Sequence, residues 1–103
     1  MAQVSVIAKL VAKEGKRDEL VEQLSKLVAA VEDEPGTLVY SVNLSTTDPE
    51  VVYFFELYTD KDALALHGKG EAFAAAGAGM GGLLGAKPEL YMCELATAKG
   101  LPG

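Results

Sequence analysis

The eight residues Val51–Tyr58, Val-Val-Tyr-Phe-Phe-Glu-Leu-Tyr, constrain this chain more than any other segment. A run so rich in β-branched and aromatic residues reads as a strand. Side chains alternate along a strand, so Val51, Tyr53, Phe55 and Leu57 share one face and Val52, Phe54, Glu56 and Tyr58 share the other. Both faces are largely apolar, and both need cover from water. A chain of 103 residues has room for one domain and a few helices. Two helices cover one face of a sheet. A Val52–Phe54–Tyr58 face left bare would be a costly apolar patch, and a second copy of the chain is its simplest cover.

The rest of the chain supplies the other layers. Residues 3–11 alternate, with Val4, Val6, Ala8 and Leu10 on one face, which predicts a strand. After Gly15 the period changes. Leu20, Leu24, Leu27, Val28 and Val31 recur at helical spacing between Arg17 and Asp33, and Asp18 and Glu19 suit the positive end of the helix dipole. Glu34-Pro35-Gly36 stops that helix. Thr37–Leu44 alternates again, and the polar turn at Asp48-Pro49 joins it to Val51–Tyr58 as an antiparallel hairpin. Thr59 is placed to cap a second helix carrying Leu64 and His67. The helix is interrupted at Gly68-Lys69-Gly70 and resumes as Glu71–Ala76 with Phe73. A glycine-rich stretch, Gly77–Gly85, reads as a loop, with Met80, Leu83 and Leu84 able to close over a ligand as a lid. A last strand spans Leu90–Ala96. The order strand, helix, strand, strand, helix, strand is the α+β, ferredoxin-like split βαβ pattern. Residues 1–98 form one domain, and 99–103 read as a flexible tail.

Composition narrows the function. The net charge is −6 and the longest basic cluster is Lys16-Arg17, which argues against nucleic acid or an anionic membrane as partner. The lone cysteine, Cys93, makes no internal disulfide, and the N-terminus lacks the basic-then-apolar pattern of a signal peptide, so a cytoplasmic setting is expected. Gly77, Gly79 and Gly82 satisfy G-x-G-x-x-G. They follow a helix and precede a strand, the reverse of a dinucleotide site. No metal-ligand set is evident around His67, the one histidine.

Three groups stand out chemically. His67 is either a structural histidine or a general base, since imidazole titrates near neutrality. Glu56 lies in an aromatic strand, where a carboxylate is expensive unless hydrogen-bonded; it is either a buried structural bond or a polar group in a pocket. Tyr40, Tyr53, Tyr58 and Tyr91 are core aromatics or hydroxyl donors.

Three local signatures then line up. Glu34-Pro35-Gly36-Thr37-Leu38-Val39-Tyr40 closes a helix and opens a strand. Phe55-Glu56-Leu57-Tyr58-Thr59-Asp60-Lys61 runs from strand to helix. Ala63-Leu64-Ala65-Leu66-His67 follows. This ordered series resembles the antibiotic biosynthesis monooxygenase domain family, which includes the small quinol monooxygenases, over residues 4–96. The resemblance implies a dimeric α+β barrel, in agreement with the two-faced strand. It implies cofactor-independent oxygenation by O₂ of an apolar or aromatic small molecule, such as a quinol. His67 would be the base and Glu56 and Tyr58 polar orienters; Phe73, Met80 and Leu83 would bind substrate, with Tyr40 and Phe55 as pocket walls if their strand faces point that way. The family also holds haem-degrading enzymes, which this chain resembles least: its first strand has no Asn and it has no Trp. Rival readings are a small-molecule-binding or stress-associated protein without chemistry, and a small-metabolite isomerase.

Overall fold

The alternating segments become strands because each can lay its apolar side against a helical stripe. The computed structural model describes residues 2–101. Strand β1 is Val4–Val11, helix α1 is Arg17–Ala30 extended by a 3-10 turn at Val31–Asp33, and β2 is Thr37–Leu44. Strand β3 is Val51–Tyr58, α2 is Lys61–Gly68, α3 is Glu71–Met80 and β4 is Glu89–Glu94. The sheet order is β2-β3-β1-β4, and every pairing is antiparallel. This is the split βαβ sandwich expected from the element order. Of the expected tail, Pro102 and Gly103 lie outside the described residues. Among the described residues no helix is long and apolar enough to cross a membrane.

Leu20, Leu24 and Leu27 are the buried stripe of α1. Leu20 and Leu24 cluster with Ala8 and Leu10 of β1 and Val52 and Phe54 of β3, all buried. Register explains the match: Ala8 pairs with Phe54 and Leu10 with Val52, so the two strands turn the same face to the helices. The Val52–Phe54–Tyr58 face is therefore the interior. The open face is the opposite one, where Ile7 is 42%, Tyr53 40% and Tyr91 52% exposed. Val51 and Leu57, at the two ends of β3 on that side, are buried.

Two local expectations are corrected. Asp60, not Thr59, caps α2: its Oδ1 accepts the Ala63 N–H at 2.9 Å. The glycine-rich stretch is not a loop throughout. Helix α3 continues through Gly77 and Gly79 to Met80, because packing against α1 overrides the weak helix propensity of glycine. Beyond it the chain is tied to the end of β1: Lys13 N–H donates to Leu83 O at 2.8 Å and Gly85 N–H to Val11 O at 2.7 Å. A segment held this way is not hinged as a free lid.

Candidate active site

Three elements bring polar side chains to one end of the sandwich interior. Glu56 and Tyr58 are two apart on β3, so both point toward the helices, and Tyr58 donates its hydroxyl proton to Glu56 Oε1. Tyr40 on β2 is the cross-strand partner of Glu56. Helix α2 delivers His67 in its last turn. His67 is almost wholly buried, its Nε2 3.2 Å from the Tyr40 hydroxyl and its Nδ1 3.0 Å from Glu34 Oε1. The imidazole is enclosed by aromatic rings: centroids of Tyr40, Phe73 and Tyr58 lie 5.0, 5.4 and 5.7 Å from its own.

Burial governs the electrostatics. It raises the Glu56 carboxyl above its ordinary value, against the opposing pull of the Tyr58 hydrogen bond and of His67. It also raises Tyr40, with the charges of Glu56 and Glu34 adding to the effect. Tyr58 is raised by burial first and then by its hydrogen bond to Glu56. Both hydroxyls therefore keep their protons across the physiological range and serve as hydrogen-bond donors.

An apolar cavity of about 170 Å³ adjoins this group. Leu24 and Leu27 of α1, Phe54 of β3, Phe73 and Met80 of α3, and Leu90 of β4 wall it, and Tyr40 and Glu56 are its polar members. Of the five residues expected as a substrate wall, Tyr40, Phe73 and Met80 line this cavity. His67 and Tyr58 are in the polar group behind the wall and do not line the cavity. Two further residues fall elsewhere. Phe55 is on the open face of the sheet, since it pairs with Ile7 and neighbours Glu56 with opposite orientation. Leu83 packs against the core cluster beyond the cavity. Glu34 joins this polar group through His67, although its place in the sequence does not mark it as a site residue. It sits in the Glu34-Pro35-Gly36 signature, where it reads only as the end of a helix, and its partner His67 is 33 residues away in sequence. Among the described residues no three His, Cys, Asp or Glu side chains converge as metal ligands.

Fold and cavity together define a class: a ferredoxin-like α+β domain with a small apolar cavity between sheet and helices, polar at one end. Within that class the chain belongs to the antibiotic biosynthesis monooxygenase family, whose model matches residues 3–79. It is similar in structure to a Caulobacter crescentus protein described as a candidate antibiotic biosynthesis monooxygenase. The two are 34% identical, with a TM-score of 0.89, over 93% of this chain and 92% of that one. A Pseudomonas aeruginosa protein is 26% identical with a TM-score of 0.86, over 94% and 97% of the two chains. A Nitrosomonas europaea protein of unknown function is 25% identical with a TM-score of 0.86, over 100% and 98%. No curated protein matches the sequence.

Proposed function

We propose that this protein is a cofactor-independent monooxygenase of a quinol or other hydroxylated aromatic with a single ring, working as a cytoplasmic homodimer. The cavity carries this reading. An engineered apolar cavity of about 150 Å³ is known to take up benzene, and the volume here is of that order. An aromatic ring fits its Leu, Phe and Met walls. A ring hydroxyl has Tyr40 and Glu56 as its polar neighbours.

The chemistry is substrate-assisted. Removal of the phenolic proton gives an electron-rich anion, which passes one electron to O₂. The radical pair recombines as a carbon–oxygen bond, and the resulting peroxide takes back a proton. Loss of water from the hydroperoxide leaves a quinone carbonyl, so one oxygen atom enters product and the other leaves as water. His67 is the proton acceptor. Glu56, held in place by the Tyr58 hydroxyl, orients the oxygen that becomes negative at the cavity wall.

Family membership and the candidate monooxygenase from Caulobacter crescentus support the reaction class. The open sheet face supports the dimer: Ile7, Tyr53 and Tyr91 form an apolar surface that the helices leave bare. The test is oxygen uptake with a panel of monocyclic hydroquinones in metal-free buffer. Uptake with at least one of them is expected, and His67→Ala should lower its rate roughly 10²–10⁴-fold while the protein stays folded. Binding of the panel without oxygen uptake would replace the enzyme with a small-molecule-binding protein.

A further inference from the structure

The base assigned to the reaction does not touch the cavity. His67 is buried behind Tyr40, whereas Tyr40 lines the cavity and places its hydroxyl 3.2 Å from His67 Nε2. The other imidazole nitrogen, Nδ1, is 3.0 Å from Glu34 Oε1. Glu34 is itself fixed. Thr37 Oγ1 donates to the same oxygen at 2.9 Å, and the backbone of the turn is clamped against α2. Thr59 N–H donates to Gly36 O at 3.0 Å, and a Cβ at Gly36 would lie only 2.6 Å from that of Ala63. Only a residue without a side chain lets the turn carrying Glu34 approach the helix carrying His67 so closely.

The geometry points to a proton relay, Glu34–His67–Tyr40, in which Tyr40 is the catalytic residue that meets the substrate hydroxyl and Glu34 is a positioning residue. The relay rests on the monooxygenase reading and adds the identity of the group at the cavity wall. Glu34 accepts the Nδ1–H of the neutral imidazole, which leaves the Nε2 lone pair facing the Tyr40 hydroxyl. The substrate O–H donates to Tyr40 as Tyr40 passes its own proton to Nε2. One phenolic O–H bond breaks and one N–H bond forms. The substrate becomes a phenolate, the imidazole becomes an imidazolium beside the Glu34 carboxylate, and Tyr40 ends with the proton count it began with. The reverse transfer later supplies the proton that the peroxide requires. Burial and the two nearby carboxylates disfavour a free tyrosinate, so Tyr40 conducts the proton in a concerted step and does not store negative charge.

His67 is the one histidine of the chain, so histidine-selective ¹⁵N labelling reads it without assignment. The wild-type neutral ring should carry its proton on Nδ1. Glu34→Gln, close in shape to the wild-type side chain, can donate its amide to Nδ1 and should move the proton to Nε2. Tyr40→Phe should leave it on Nδ1. With 4-nitrophenol as the bound probe, wild type should show the phenolate absorption band. Tyr40→Phe should bind the probe with similar affinity while losing most of that band. With any quinol that wild type oxidises, both variants should lose roughly 10²-fold in kcat with KM little changed. An Nε2–H tautomer in wild type would overturn the relay, as would an undiminished phenolate band in Tyr40→Phe. Neither spectroscopic readout needs turnover, so a protein that fails to consume oxygen would sink the proposed reaction and leave the relay's own test standing.

Discussion

A carboxyl group enclosed by aromatic side chains is easier to keep neutral than charged, and Glu56 is the residue where this has consequences. It is 8% exposed, accepts the Tyr58 hydroxyl proton, and is held above its ordinary value of 4.5 by burial. Protons are therefore bound more tightly in the folded than in the unfolded state. Between 4.5 and the raised value the folded protein holds more protons, so the contribution of Glu56 to stability falls as pH rises through that window. Glu56→Gln keeps an acceptor for Tyr58 and cannot ionise. The stability of wild type relative to Glu56→Gln should thus decline as pH climbs above 4.5, as read from urea midpoints across a pH series. A difference that is flat or grows with pH would mean that the carboxylate is better stabilised than its surroundings indicate.

At the scale of the element, α3 is the piece with least local support. Its sequence, Glu-Ala-Phe-Ala-Ala-Ala-Gly-Ala-Gly-Met, includes two glycines, and no side chain caps its start. Its position matters because Phe73 and Met80 wall the cavity and Phe73 meets the His67 ring. A Cβ added at Gly77 meets nothing within 4 Å, so alanine fits there without strain. Gly77→Ala should stabilise the protein by about 0.4–1 kcal/mol, chiefly by restricting the unfolded chain. Thermal or urea denaturation checks this. A loss of stability would indicate that the stretch works as the loop its glycines suggest and that the helix is not its resting state.

At the scale of the molecule, one sheet carries two different surfaces. Toward the helices it presents Val6, Ala8, Leu10, Val52 and Phe54, all buried. Away from them it presents Ile7, Tyr53 and Tyr91, and half-buried Phe55. If the open face seats a second copy, sedimentation at micromolar concentration should report about twice 10.8 kDa. Ile7→Asp should dissociate the dimer, because an unpaired charge enclosed by an interface is heavily penalised. A monomeric wild type, or an Ile7→Asp dimer of unchanged stability, would move the interface elsewhere. Val52 and Phe54, which sequence alone left as interface candidates, belong to the core, so Asp there should unfold the chain.

Much of this architecture was present in local pattern. The alternation of Thr37–Leu44 and Val51–Tyr58 and the leucine stripe of α1 specify strands and a helix because each period admits one backbone geometry. Pro35 ends a helix by its ring and missing N–H, whatever the fold. The order of those elements then leaves few topologies. Which face of β3 turns inward could not be read, because both faces are apolar. It follows from the register that sets Phe54 beside Ala8 and Phe55 beside Ile7, and register is a relation between strands. The same holds at the site. His67, Glu56 and Tyr58 were visible as unusual residues in apolar segments. The Glu34–His67 contact spans 33 residues and the His67–Tyr40 contact 27. Contacts at that separation come from the packing of α2 against the Pro35-Gly36 turn and β2. Local periodicity and turn chemistry are enough for α1 and the strands, because they act within a few residues; packing carried α3 through its glycines and decided which side chains meet.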